Sequence, residues 1–242
     1  MRIDILLRKF KNIFVVGVGG TGSFLMPVVM RYLASRTDVN KELLVKIIDG
    51  DKYDEGNFAR QEFAHSRVGR NKAEVQEEIY QRKFPTLTIS SVPEYLGSSN
   101  IEMIVDGSII FCCVDNHFCR NLLSKHCQTL NNVILISGGN EHVDGNVQSY
   151  FKIDGKEMNH PIEYRHPEIE RTNDGDRSEM SCEELHNLPS ESQVIFANAM
   201  SGTLMACLFY SYIADKNPWR IDDIFFDVEQ VKTARIYDGN PE

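Results

Sequence analysis

Short runs of β-branched and aromatic residues alternate along the first half of the chain with stretches whose apolar side chains recur every three to four positions. Asn12 to Gly17 is such a run and ends in glycine, which predicts a buried parallel strand. From Gly20 to about Leu33 the apolar residues Phe24, Leu25, Val28, Val29 and Tyr32 fall at helical spacing, with Pro27 in the early turns where a missing N–H is tolerated. Leu43 to Ile48 predicts a second strand. Strand, helix, strand is a βαβ unit, right-handed in nearly all cases, and it implies a parallel sheet.

The alternation continues. A helix is expected over 71–83, strands over 87–92 and 109–114, a helix over 117–130 and a strand over 133–137. Residues 145–153 alternate apolar and polar, as a strand with one solvated face does, and so begin an antiparallel extension. From 154 to 192 apolar residues thin out and no period holds, which reads as a long, mobile surface crossover of the kind that serves as a binding loop. A largely apolar helix over 193–214 and closing strands over 224–228 and 232–237 complete the pattern. The expected architecture is α/β: a doubly wound, mostly parallel Rossmann-like sheet with an antiparallel extension and a long crossover loop. A single domain over 1–242 is expected, with a nucleotide-binding half over 1–140 and the extension, crossover, last helix and strands over 141–242.

The formal net charge of -9 disfavours a broad grip on nucleic acid, because phosphate contacts need clustered Lys and Arg that release counterions. No uninterrupted apolar run is long enough to cross a bilayer, and the opening residues have no apolar centre, so a cytoplasmic protein is expected. Six cysteines form no C-x-x-C pair, which removes the usual zinc-ribbon spacing, and disulfides are not expected in a reducing compartment. Four of them lie in or beside apolar stretches, where cysteine behaves as a small hydrophobe. Cys182 differs in lying in a polar segment.

The candidate chemistry begins at Gly17-Val18-Gly19-Gly20-Thr21-Gly22, a glycine fingerprint between a predicted strand and a predicted helix. Glycines let backbone amides approach phosphate oxygens, and the positive helix end favours that negative charge. Asp49 ends the second strand, where an acidic side chain accepts hydrogen bonds from ribose hydroxyls. This much fits NAD, FAD or ATP equally, and a glycine turn kept for packing alone is the plain alternative.

Four further groups distinguish these cofactors: Asp49-Gly50-Asp51, then Asn57-Phe58-Ala59-Arg60-Gln61, then Gly69-Arg70-Asn71-Lys72-Ala73, then Cys113-Val114-Asp115-Asn116. Adenylation builds negative charge on an α-phosphate, so cations must already be aimed there, and Arg60 and Lys72 are candidates. Asp115, just past a parallel strand, lies where open sheets bind ligands and is a candidate oxygen ligand for magnesium. Singly, Arg60 and Lys72 read equally as solvated charges and Asp115 as a helix N-cap.

In this order the pieces resemble the ThiF/MoeB family, related to the adenylation domain of ubiquitin-activating enzymes. The resemblance covers roughly residues 12 to 150 and more weakly the helix after Gln193. It implies that Gly17, Gly19, Gly20 and Gly22 line the phosphates of ATP, that Asp49, with Asp51 beside it, binds the ribose end, that Asn57, Arg60, Gln61 and Lys72 contact phosphates, and that Asp115 holds Mg2+. It further implies an adenylyltransferase acting on the C-terminus of a small ubiquitin-like or sulfur-carrier protein, as a homodimer. Family members that pass the acyl group to sulfur often carry the cysteine in the crossover, where Cys182 falls. A thiolate there is a competent nucleophile, and a bystander thiol is the equal alternative; Arg177 and His186 favour the thiolate, and Glu179, Glu183 and Glu184 oppose it. The chain departs from the pattern in lacking paired C-x-x-C ligands and an arginine-bearing N-terminal motif, for which Arg2 or Arg8 are the available substitutes. Adenylation of a small peptide or modified RNA carboxylate, a non-catalytic nucleotide- or partner-binding module, and an NAD-linked dehydrogenase stay open as rivals.

Overall fold

Why the first-half strands read as continuous apolar runs is plain from their neighbours. In the computed structural model, which describes residues 9–36, 42–171, 174–180, 194–214 and 221–236, β1 (Asn12–Val16) has a parallel partner on both sides and helices over both faces. A strand so enclosed has no solvated face to alternate with. Its partners are β2 (Leu44–Ile48) and β4 (Ser108–Cys112), flanked in turn by β3 (Thr88–Val92) and β5 (Val133–Asn140), all parallel. Beyond β5 the direction reverses. β6 (Asp144–Ile153), β8 (Asp223–Asp227) and β9 (Lys232–Ile236) are antiparallel, and the two-residue β7 (Lys156–Glu157) pairs with β6. The order across the sheet is β3-β2-β1-β4-β5-β6-β8-β9, the doubly wound sheet with antiparallel extension that the pattern predicted.

One face packs α1 (Gly20–Ser35), α2 (Lys72–Lys83) and α5 (Ile195–Ile213) through a cluster that includes Ile13, Val15, Met26, Tyr80, Met205 and Phe209. The other packs α3 (His117–Thr129) through Phe14, Val16, Leu123 and Leu135. Because the chain runs from β3 back past β1 to β4, the strand order reverses at the β1/β4 boundary, and a crevice opens at the carboxyl ends of these strands. Cys112, Cys113, Cys119 and Cys127 are buried, as apolar cysteines should be.

The expectation of a structureless crossover from residue 154 is corrected by the segment up to 171. It holds β7, a single-turn helix α4 (Ile162–Arg165) and a 3₁₀ turn at Pro167–Glu170, and it seals the α3 side of the sheet with buried Ile162 and Ile169. Buried Glu163 accepts from Ser124 Oγ, from Gln128 Nε2 at 2.7 Å and from Lys125 Nζ at 2.9 Å. Elements of one turn leave no period to read, and the partners that hold Glu163 lie 35 to 39 residues away in sequence.

His166 closes this segment onto β8. Its Nε2 lies 3.0 Å from Asp223 Oδ1 and its Nδ1 3.0 Å from Glu168 Oε1, so both ring nitrogens donate when the imidazole is charged. Burial by itself would lower its pKa, but the hydrogen bond and charge of Asp223, then those of Glu168, raise it above the ordinary 6.5. A raised folded-state pKa gives stability that is fully present below pH 6.5 and is lost as pH climbs through the raised value. Urea midpoints are therefore expected to fall from pH 6 to pH 8, about the range of an imidazole titration. His166→Gln should flatten that slope; an unchanged slope would remove His166 as its source.

Candidate functional site

The crevice is a cavity of about 520 Å³ at the end of β1, and glycines shape its floor. Gly17 turns the chain at φ +85°, a conformation that side chains resist, and a Cβ there would meet Cys113 O at 2.9 Å. α1 then starts at Gly20 with no side-chain cap from Gly19, so its first amides are not taken by a capping side chain. A helix start of this kind attracts phosphate. Gly22 serves differently: a Cβ there would sit 2.2 Å from Gly17 O, so its role is to let the helix pack against the turn, and it is not among the cavity's lining residues.

Asp49, at the end of β2, braces this turn. Its Oδ2 accepts from Val18 N at 2.7 Å and its Oδ1 from Asp51 N at 2.8 Å. Burial pushes its carboxyl up, against the pull of Lys72. Asn71 caps α2 by accepting from Glu74 N and also donates to the carbonyls of Asp49 and Asp51 at 2.9 and 3.1 Å. That clamp places Lys72 beside Asp51, with Nζ 3.0 Å from Oδ2, and leaves Lys72 only 4% exposed. Tyr95 OH donates to the other Asp51 oxygen. Burial would raise Asp51, but Lys72 and this hydroxyl outweigh it and hold the carboxyl below its usual range.

Arg60 and Gln61 arrive on a turn whose pivot is Asn57: the Asn57 carbonyl accepts from both of their amides, at 3.1 and 3.0 Å. Asn57 itself is not a lining residue, so its contribution in this structure is to the turn. Asn198 of α5 donates to Arg60 O at 3.1 Å and fixes the turn from below. Gln61 is 4% exposed, lies over Gly19, and its Oε1 has no hydrogen-bond partner. Opposite, Asp115 is half exposed and pairs with Arg177 at 2.8 Å. The cap of α3 is Asn116, accepting from Cys119 N at 2.7 Å, so Asp115 is not spent on the helix end.

Gly17, Gly19, Gly20, Asp49, Asp51, Arg60, Gln61, Lys72 and Asp115 thus line one cavity, and Cys182 lies outside the described residues. Sequence reasoning missed Tyr95, Arg120 and Gln148. Arg120 is buried, donating to Ser137 Oγ at 2.6 Å, Gly138 O at 2.8 Å and Val114 O, and so ties the Asp115 loop to β5. Arg120→Ala leaves those acceptors bare and is expected to cost about 3 kcal/mol by denaturant melt; a loss near zero would mean water satisfies them. An arginine one turn into a helix carries no sign of this inward role.

The family model described as the ThiF family matches residues 6–235. The chain belongs to the ThiF family. Among curated relatives it is 28% identical over 153 residues to ubiquitin-like modifier-activating enzyme 5 of Caenorhabditis elegans, covering 57% of this chain and 34% of that one. It is likewise 28% identical over 156 residues to the Xenopus laevis protein of the same name, covering 59% and 37%. The ThiF chain described here therefore spans about a third of the length of these relatives. Its fold is that of Escherichia coli MccB, solved with ATP, at a TM-score of 0.72 and 17% identity over 98% of this chain and 67% of that one. PaaA follows at 0.66 and 11%, over 97% and 66%. No helix among the described residues is long and apolar enough to cross a membrane.

Proposed function

We propose that this ThiF-family chain is an adenylyltransferase that activates a carboxylate with ATP, the carboxylate being the C-terminus of a small ubiquitin-like or sulfur-carrier protein. The observation that carries the reading is the convergence of the glycine turn, Arg60, Lys72 and Asp115 on one cavity. A carboxylate oxygen attacks the α-phosphorus, the bond to the bridging oxygen of pyrophosphate breaks, and an acyl-adenylate forms. The carboxylate is already ionised, so no general base is needed; positioning and charge neutralisation supply the rate. The α1 N-terminus and the two cations line this cavity and would meet the growing phosphate charge. Asp49 and Asp51 are the acceptors for ribose hydroxyls.

A single aspartate suits Mg2+ that is shared with substrate phosphates and water, and no group of three or more His, Cys, Asp or Glu forms a closed metal cage among the described residues. Asp115 would hold that ion, which screens the pyrophosphate charge. A thioester at Cys182 and a cytoplasmic setting belong to the same proposal. So does a homodimer, for which exposed Val28 on α1 and Phe196 and Tyr210 on α5 offer an apolar face. The MccB structures include one with AMPCPP and MccA, and a small peptide stays the second candidate for the carboxylate donor.

The test is exchange of labelled pyrophosphate into ATP with magnesium. Exchange that appears only when a protein or peptide with a free C-terminus is added supports the reading. Tight ATP binding with no exchange for any such donor would replace it with a nucleotide-binding module, and preference for NAD over ATP would sink both.

A further inference from the structure

A short segment bridges the crevice. Residues 174–178 are clipped at one end to the loop after β4, where Asp174 Oδ2 accepts from His117 N at 2.6 Å, and at the other to the turn after β3, where Asp176 Oδ2 accepts from Ser98 N at 2.7 Å. β1 and β2 lie between those two strands in the sheet, so the segment passes over the ends that carry the glycine turn and Asp49. Gly97 allows this close approach, since a Cβ there would collide with Ser178 and Asp176. Asp174 and Arg177 both line the cavity.

Arg177 is the cation of this segment, and it is turned away from the carboxylates beside it in sequence. Its Nη1 lies 2.8 Å from Asp115 Oδ1, its Nε has no hydrogen-bond partner, and Asp115 is half exposed. A one-armed pair with a solvated carboxylate is weakly held. Against the upward push of burial, and behind Lys72 and Tyr95, Arg177 also draws the Asp51 carboxyl down, so its charge reaches the side of the crevice where Lys72 stands. The pair with Asp115 carries a conflict. Asp115 is the proposed ligand of Mg2+, and a dication and a guanidinium on one carboxylate repel each other. The ion arrives with a triphosphate, which is a stronger partner for a guanidinium than a carboxylate given over to metal.

We propose that Arg177 is a third phosphate-binding cation of this cavity, resting on Asp115 in the absence of nucleotide and passing to the phosphates of ATP when magnesium takes that carboxylate. The inference rests on the adenylation reading for its nucleotide and its metal, and deepens it by giving residues 174–178 a direct part in holding ATP. The rival is a plug, an arginine that merely occupies the metal ligand and must be expelled. The two differ in sign: removing a plug tightens ATP, whereas removing a phosphate partner loosens it.

Binding separates this from the reaction itself. ATP and adenosine are titrated calorimetrically, with magnesium, into the full chain and its variants. Arg177→Gln should weaken ATP about tenfold, the scale of one hydrogen bond to a charged group, and leave adenosine unchanged. The ATP effect should shrink in high salt. Gly97→Val changes a residue outside the cavity lining and would lift the segment off its turn, so it should copy the ATP-selective loss. ATP bound by Arg177→Gln as tightly as by the wild type or more so, equal weakening of both ligands in both variants, or a wild type that binds ATP no better than adenosine would overturn the proposal. An ATP-selective loss in a chain that never exchanges pyrophosphate would instead condemn the adenylation reading and leave Arg177 assigned. Exchange by the wild type with ATP affinity indifferent to Arg177 would do the reverse.

Discussion

Lys72→Ala is expected to lower pyrophosphate exchange by about a hundredfold or more, the usual cost of removing one preorganised charge from a phosphoryl transition state. The side chain is buried at the end of the cavity, so water does not replace the lost charge cheaply, and its partner Asp51 would face Asp49 with no counter-ion between them. Part of the effect is thus structural, and a companion variant divides the two. Asp51→Asn removes the same ion pair but leaves the ammonium, so it should share the loss of stability and keep far more of the exchange. If both variants lose exchange equally, Lys72 is a structural partner of Asp51 and no more. Lys72→Arg should not rescue, because a planar fork does not fit a site shaped for a compact ammonium.

Gly22→Ala should cost about 2 kcal/mol of stability or more, and abolish tight ATP binding with it. A methyl group there would press to 2.2 Å of Gly17 O, which is backbone and cannot rotate away, so either α1 shifts or the turn opens. Gly69 is the control. Unlike helical Gly22 it has a positive φ, at +83°, but nothing lies within 4 Å of its missing Cβ, so Gly69→Ala should pay only the backbone strain of about 1 kcal/mol and bind ATP normally. Thermal melts and ATP titrations of the two variants decide it: equal behaviour would mean that close packing of α1 on the turn is not what forms the phosphate site.

Gly17 to Gly22, Asp49 and the pair Arg60 and Gln61 lie within short segments joined to predicted strands, and local spacing suffices to place them at one sheet end. Gly22 and Asn57 belonged to the right motifs, yet the structure gives both an internal duty, because a motif records which residues travel together and not which of them face outward. Which of the neighbours Asp115 and Asn116 caps the helix is not written in local spacing, and it is Asn116 that holds the helix end. Cys182 lies outside the described residues.

What the sequence by itself determined is the alternation of strands and helices, the parallel order of the first half, the antiparallel end, and the charged groups that gather at the glycine turn. Buried parallel strands must be apolar throughout and amphipathic helices must repeat, so these properties are written in neighbouring residues. Only the tertiary structure decided that Tyr95 completes the Asp51 site, that Arg120 turns inward, that residues 156–171 fold against α3, and that Arg177 meets Asp115. Each depends on a contact between residues whose closeness in space no local spacing records, and there the outcome follows from burial and from which donor finds which acceptor.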